Sequence, residues 1–122
     1  MSKKYSVVSL GEILVDFTDA GQSDAGFRLF EQNPGGAVAN VVCALSKLGM
    51  KDTGIIGKVG DDMHGYFLCS ILSKVGVDTS GIVFDKDRFT TMAYVSLEAT
   101  GERSFSFARK PGADTGLHID EL

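Results

Sequence analysis

The sequence predicts an α/β fold in which a parallel sheet carries a separate, smaller antiparallel sheet. Two amphipathic helical patterns each follow an apolar run, and this strand–helix alternation is typical of parallel sheets. After the second helical pattern the chain changes to alternating strand-like segments joined by a short turn, which favours antiparallel pairing. Because a parallel sheet is usually covered on both faces and only two helices are predicted, we expect this architecture to be incomplete in this chain.

Composition and charge narrow the functional classes. The 122 residues carry 12 basic and 16 acidic side chains, which argues against a nucleic-acid partner because such binding depends on Lys and Arg neutralising phosphates. No stretch of about 18 apolar residues is present, and the amino terminus lacks the apolar core of a signal peptide. We therefore expect no membrane span, a cytoplasmic location, and free thiols at Cys43 and Cys69 rather than a disulfide or redox pair.

The first part of the chain predicts extended structure interrupted by glycine-containing turns. A turn at Gly11-Glu12 separates two apolar, β-branched pieces. The predicted elements are a strand at residues 5–10, a second extended piece within the apolar run 13–17 that ends at Asp16, a loop at 18–26 and a strand at 27–32.

Two helices are predicted from apolar residues that recur with helical spacing. The first spans residues 37–48 and the second spans residues 63–75. Gly49 and Gly76 follow them as carboxyl-terminal caps, since glycine adopts a left-handed backbone at little cost. The predicted apolar face of the first helix consists of Val38, Val41, Val42, Leu45 and Leu48.

The remaining predicted elements are short strands and turns. In chain order they are a buried strand at residues 53–56, a turn at 57–62, strands at 81–84 and 91–97, a hairpin connection at 98–101, a strand at 102–107 and a break at 110–114. Residues 115–122 resemble the start of another helix, so we expect a truncated domain.

The most informative segment is the glycine-containing turn before the first helix. Gly35 and Gly36 free the first N–H groups of that helix and allow a ligand to approach the backbone closely. Asn40, one turn into the helix, offers two donors and an acceptor oxygen that suit a hydroxylated ligand. An ordinary strand-to-helix turn with an exposed asparagine is the alternative at this point.

Other kinds of site lack their motifs. No Gly-x-Gly-x-x-Gly follows the first strand, and Gly57-Lys58 is followed by Val59 where a P-loop needs Ser or Thr. His64 and His118 have no second ligand at metal-binding spacing. We therefore expect neither a nucleotide site nor a metal site in this chain.

Four motifs occur in the order seen in one known family. They are Gly11-Glu12 with Asp16, the run from Asn33 to Asn40, the run Gly57-Lys58-Val59-Gly60-Asp61-Asp62, and the run from Arg103 to Asp114. Over Val7 to Asp114 the chain resembles the ribokinase-like (PfkB) carbohydrate kinases, and within them the fructokinases. Val38 stands where fructokinases usually have proline, but this departure leaves Gly35, Gly36 and Asn40 in place.

The resemblance implies a fold and a site. Residues 1–122 would form the amino-terminal part of one ribokinase-like α/β domain, with a small antiparallel β lid built from about residues 13–32 and 82–108. The sugar would lie between the α/β body and the lid. The resemblance assigns sugar binding to Asp16, Gly35, Gly36, Asn40, Phe107 and Arg109, and pocket shaping to Glu12, Asn33, Lys58 and Phe105.

The same resemblance implies a parent protein that uses ATP and Mg²⁺ to phosphorylate fructose or a similar sugar. The family's catalytic Asp lies in a Gly-Ala-Gly-Asp segment that this sequence lacks. We therefore expect no catalytic residue, no tight ATP or Mg²⁺ binding and no activity in this chain alone. The alternatives are a non-catalytic sugar-binding or interaction module, and a kinase for another sugar such as ribose or 2-keto-3-deoxygluconate. An open sheet edge in the lid would also suit a homodimer.

Overall fold

The computed structural model describes residues 4–97, 100–108 and 112–122, which form two sheets and two helices. The strands are β1 Val7–Leu10, β2 Leu14–Gln22, β3 Arg28–Gly35, β4 Thr53–Gly60, β5 Asp78–Asp85, β6 Met92–Leu97 and β7 Arg103–Ala108, and the helices are α1 Ala37–Lys47 and α2 Met63–Lys74. Two 3₁₀ turns follow, at Ala113–Thr115 and Ile119–Glu121. In the part of the chain described, no helix is both long and apolar enough to cross a bilayer.

The body of the molecule is the parallel sheet β1-β4-β5 together with α1 and α2. The predicted parallel sheet is confirmed: its first strand pairs with the strand after α1, with Val7 opposite Thr53 and Leu10 opposite Ile56. Both helices pack on one face of this sheet, because their apolar residues share one core with it. That core contains Ile13, Val15, Ala39, Val42, Ile55, Val59, Leu68, Leu72, Val77 and Ile82. Cys43 and Cys69 border it as free thiols, and burial raises the pKa of both.

The helices match their predicted starts but differ in how they begin. Asp62 caps α2, and its carboxylate accepts a hydrogen bond of 2.8 Å from the backbone N–H of Gly65, whereas Gly36 before α1 provides no side-chain cap. The predicted apolar face of α1 is partly wrong. Val41 is 54% exposed and Leu48 84% exposed, because the face that meets the sheet is centred on buried Ala39 and Val42.

We call the second sheet, in the order β3-β2-β6-β7, the lid. The β6–β7 pair is the antiparallel hairpin predicted from the sequence, and β2 and β3 form a second antiparallel hairpin. Because β2 and β6 run parallel to each other, the lid is a mixed sheet and not the antiparallel sheet that was expected. Val15 pairs with Met92 at the start of this parallel ladder. Both hairpins therefore leave the body at the same place, where β2 and β6 begin side by side.

Three predicted loops and turns are shorter in the structure because strands extend into them. The predicted loop at residues 18–26 is shortened because β2 continues to Gln22 against β3, and the glycine-containing turn before the first helix is shortened because β3 continues through Pro34 to Gly35. Proline is tolerated there because β3 is an edge strand. The predicted turn at 57–62 is reduced to two residues, since β4 continues to Gly60. The predicted helix start at 115–122 contains only a 3₁₀ turn.

Candidate functional site

The site is built where the lid meets the amino terminus of α1. Asp16 lies in β2 directly opposite Asn33 of β3, two residues before Gly35. A Cβ added at Gly35 would lie 2.5 Å from Oδ2 of Asp16 and 2.8 Å from Cδ1 of Leu14. Glycine at position 35 is thus what allows the Asp16 carboxylate to sit against the backbone that enters the helix.

Gly36 brings a second piece of backbone to the same place. Its φ of 97° lies in the region that favours glycine, and a Cβ there would collide with the backbone carbonyl oxygen of Glu12. The backbones of residues 12 and 36 are therefore in direct contact. The first N–H groups of α1, which have no helical acceptor and no side-chain cap at Gly36, follow immediately.

Asp16 also borders a cavity on one face of the lid. Because side chains alternate along a strand, the pairing register places Asp16, Thr18, Asn33, Val95, Phe105 and Phe107 on that face. A cavity of about 270 Å³ is lined there by Asp16, Thr18, Asp19, Val95, Arg103 and Phe105. The face therefore combines a carboxylate, hydroxyl and amide groups, and aromatic rings.

The carboxylate of Asp16 has an unusual environment. Partial burial raises its pKa above the ordinary value, and the neighbouring negative charge of Glu12 raises it further. Across residues 4–97, 100–108 and 112–122, no hydrogen bond or ion pair occupies this carboxylate. A partly desolvated acceptor of this kind can accept hydrogen bonds from hydroxyl groups of a ligand.

Comparison with known proteins decides the family. The sequence profile of the pfkB family carbohydrate kinases matches residues 4–120. The chain belongs to this family. It is 50% identical over 118 residues to fructokinase-1 of Zea mays, an alignment that covers 95% of this chain and 36% of the maize protein. This PfkB chain thus spans about a third of the length of the curated relatives it matches.

Solved structures confirm the ribokinase-like α/β fold expected from the sequence. The fructokinase from Xylella fastidiosa with bound ATP matches the PfkB chain with a TM-score of 0.87 and 38% identity, over 95% of this chain and 36% of that one. The fructokinase from Vibrio cholerae O395 in its fructose, ADP and calcium ion bound form matches with a TM-score of 0.81 and 34% identity, over 95% of this chain and 36% of that one.

Two of the remaining site residues predicted for the PfkB chain are asparagines. Asn33 is close to Asp16 and donates hydrogen bonds to Oγ1 of Thr18 at 3.0 Å and to the carbonyl of Glu31 at 3.3 Å. Asn40 lies exposed in the first turn of α1, and its backbone N–H donates to the carbonyl of Gly36 at 3.0 Å.

The other predicted residues differ in how they lie relative to Asp16. Phe105 lines the cavity, while Phe107 is half-exposed and stacks on Phe105 with ring centroids 6.4 Å apart. Arg109 lies outside the described residues. Lys58 is buried, and its ammonium group donates to Glu121 and to the carbonyl of Gly116, so the structure does not bring it to Asp16.

Sequence reasoning missed the residues that anchor the lid of the PfkB chain. Thr90 and Thr91 are fully buried immediately before β6. The Asp62 carboxylate accepts hydrogen bonds from the backbone N–H of Thr90 at 2.9 Å and from its hydroxyl at 2.8 Å. Thr91 donates a hydrogen bond to Asp114, and its carbonyl accepts one of 3.1 Å from the N–H of Val15. In the sequence, these anchoring residues are marked only as two adjacent threonines before an apolar strand.

The described part of the PfkB chain contains no cluster of side chains that could ligate a metal ion. Across the described ranges 4–97, 100–108 and 112–122, no group of three or more His, Cys, Asp or Glu side chains is placed to hold a metal ion.

Proposed function

We propose that this chain supplies the sugar-binding and lid portion of an ATP-dependent carbohydrate kinase that phosphorylates fructose or a similar sugar. The observation that carries the proposal is the placement of the Asp16 carboxylate against Gly35, at the entrance to α1 and at the edge of the lid cavity. Family membership and the fructose-bound and ATP-bound fructokinases among its structural relatives support this choice of substrates.

The proposed sugar contacts follow from the chemistry of the clustered groups. Asp16 accepts hydrogen bonds from two sugar hydroxyls, and the backbone at Gly35 and Gly36 approaches the ring closely. Asn40 donates and accepts at the helix start, and aromatic side chains of the lid cover the apolar face of the sugar and exclude water. The full proposed set is Asp16, Gly35, Gly36, Asn40, Phe107 and Arg109 for binding, with Glu12, Asn33 and Phe105 shaping the pocket.

In phosphoryl transfer most of the catalysis comes from positioning and charge stabilisation. Bound ATP with Mg²⁺ supplies the phosphoryl group and neutralises part of its charge. The contribution of this chain is to hold the sugar hydroxyl in place and to keep water away from it. The sequence has no Gly-Ala-Gly-Asp segment to provide a base for that hydroxyl, so we place the base outside this chain.

An interaction role for the lid has one observation in its favour. Strand β7 is an edge strand, and the rings of Phe105 and Phe107 on it are both more than half exposed. An unpaired edge with apolar side chains favours pairing with another sheet, so we propose a homodimer of the parent protein through the lid. We also propose, independently of the homodimer, a cytoplasmic location for the parent protein.

Replacing Asp16 by asparagine is expected to weaken fructose binding by roughly 10–150-fold, since losing a charged hydrogen-bond acceptor costs about 1.5–3 kcal/mol. Fructose is titrated into the 122-residue chain and followed by NMR. Acidification should also weaken binding by the unchanged chain, because it protonates the Asp16 carboxylate. Since the pKa of Asp16 is raised, this loss should occur at a higher pH than it would for an ordinary aspartate. Asp24→Asn, at the exposed turn between β2 and β3, is the matched control and should bind normally. Equal affinity of the folded Asp16→Asn variant and the unchanged chain would contradict the assignment.

The isolated chain is expected to transfer no phosphate from ATP to fructose, because the base and the ATP site are placed outside it. A coupled assay for ADP release, run on protein purified from a host without endogenous sugar kinases, measures this directly. The Asp16→Asn variant serves as the background control. Turnover that depends on Asp16 would show that the chain is a complete enzyme and would refute this part of the proposal.

A further inference from the structure

The side chain of His64 joins helix α2 to the lid. Its Nδ1 lies 2.9 Å from Nε2 of Gln32 on β3. Its ring also meets the ring of Phe17 on β2 edge to face, with the two centroids 5.4 Å apart. Phe17 packs against the core and stacks on Tyr94 of β6, with centroids 5.0 Å apart. The half-buried ring of His64 therefore connects the body with the strands of the lid.

This contact lies one residue pair from the candidate sugar site. Phe17 is opposite Gln32 in the β2–β3 ladder, and the adjacent pair is Asp16 opposite Asn33. Because side chains alternate along a strand, Phe17 and Gln32 point to one face of the lid, and Asp16 and Asn33 point to the other. His64 thus holds the two strands that carry Asp16 and Asn33, but it does so from the face away from the site.

The hydrogen bond to Gln32 requires the neutral form of the imidazole. The amide Nε2 of Gln32 only donates, so Nδ1 of His64 accepts and the ring proton is on its Nε2. Protonation of the ring places a hydrogen on Nδ1, and two donors then face each other. Histidine undergoes this change between about pH 5 and 8. The bond between α2 and the lid is therefore sensitive to acid.

The charged groups around His64 do not replace the lost bond. On its own helix, a protonated ring faces the positive end of the α2 dipole and the carboxylate of Asp62, with which it interacts electrostatically. On the lid, the side chains that the ring contacts are uncharged. Further along the hairpin, Asp19 and Arg28 pair with each other at 3.8 Å. In the described part of the chain, charge therefore attracts the ring toward Asp62 and not toward the lid.

We propose that His64 is a positioning residue for the lid. Its neutral ring holds the β2–β3 hairpin against α2, and protonation releases the hairpin from that position. The same contact fixes the backbone that carries Asp16 and Asn33. That this prepares Asp16 for a sugar rests on the proposed function, whereas the hold on the hairpin does not.

A double-mutant cycle on the whole 122-residue chain tests the bond. His64→Phe keeps a ring against Phe17 but removes the acceptor, and Gln32→Leu removes the donor. Urea-induced unfolding of the unchanged chain, the two single variants and the double variant gives the coupling between the two side chains. At pH 8 we expect a coupling of roughly 2–12-fold in the unfolding equilibrium constant, as for one hydrogen bond. At pH 5 we expect it to vanish.

A second measurement separates positioning from stability. The backbone amide NMR signals of Asp16 and Asn33 are followed in the folded chain from pH 8 to pH 5. Their shifts should be smaller in His64→Phe than in the unchanged chain. The Asp16 carboxylate is present in both proteins, so the difference between them isolates His64. His118→Phe, at the exposed second histidine, is the matched control and should shift like the unchanged chain.

Three results would overturn the proposal: no coupling at pH 8, equal coupling at both pH values, or the same amide shifts in His64→Phe and the unchanged chain. Equal coupling would mean that the Gln32 amide turns and accepts from the charged ring. Circular dichroism verifies folding, and His64→Leu replaces His64→Phe if the latter does not fold. Both measurements are made without sugar, so failure of the unchanged chain to bind fructose would contradict the proposed function and leave this inference standing.

Discussion

Replacing Gly36 by alanine is expected to destabilise the chain by about 3 kcal/mol or more. Two costs combine at this position. The backbone has φ 97° and ψ 132°, a conformation that costs a side-chain-bearing residue about 1–3 kcal/mol. The new Cβ would also overlap the carbonyl oxygen of Glu12, and since that atom is backbone, relief requires the segment leading into β2 to move. Urea-induced unfolding of the two proteins measures the difference.

Gly49→Ala separates these two costs. Gly49 has a nearly identical φ of 98°, but a Cβ there would meet no atom within 4 Å. We expect this control to lose only about 1–2 kcal/mol, the cost of the left-handed backbone. If the two variants were equally destabilised, the contact between residues 12 and 36 would contribute nothing to the free energy of unfolding. The proposed close approach of a sugar to that backbone would then lose its structural basis.

Replacing Asp62 by alanine is expected to cost about 3 kcal/mol. The carboxylate caps α2 through Gly65, and loss of a cap typically costs about 1 kcal/mol. It also accepts from the N–H and the hydroxyl of Thr90, and leaving these buried donors unpaired costs about 1–3 kcal/mol more. Because Thr90 precedes β6, amide hydrogen exchange should quicken in the lid as well as at the start of α2. Asp61→Ala is the matched control, because Asp61 is an exposed neighbour whose side chain accepts a hydrogen bond from the hydroxyl of Tyr66.

The same carboxylate makes stability depend on pH. Partial burial acts to raise the pKa of Asp62, but the hydrogen bonds from Thr90 and Gly65 and the nearby His64 outweigh it and leave the pKa below 3.8. The stabilisation is therefore present above pH 3.8 and is lost as the pH falls through the lower folded-state value. Asp62→Ala should flatten this acid-dependent loss. An unchanged pH profile in the variant would show that Asp62 is not its source.

The local pattern of the sequence predicts the helices well. Helices predicted at 37–48 and 63–75 differ from the structure only in ending one residue later than Lys47 and Lys74. The agreement is this close because helical spacing and capping glycines are local signals. Strand β2 is longer than predicted. Its second half, to Gln22, is exposed and polar, so no apolar alternation marks it, and only pairing with β3 makes it a strand.

The candidate site divides in the same way. Asp16 and the Gly35–Gly36 turn meet through hairpin pairing, which lies within reach of sequence reasoning. Lys58 was expected to shape the pocket from a turn, yet it lies in a strand and bonds Glu121. The pairing of Asp62 with Thr90 joins distant parts of the chain in the same manner. A single sequence does not reveal which distant polar groups pair.

The parallel pairing of β2 with β6 has a consequence for the order of folding. Each lid hairpin forms from neighbouring strands, but joining them brings Val15 to Met92 and closes a loop that contains both helices and β4 and β5. Closing a long loop costs entropy before its contacts repay it, and such long-range pairings form slowly. The complete lid should therefore assemble only after the body has shortened that loop. Amides in the parallel ladder between β2 and β6 therefore become protected only after the body has folded.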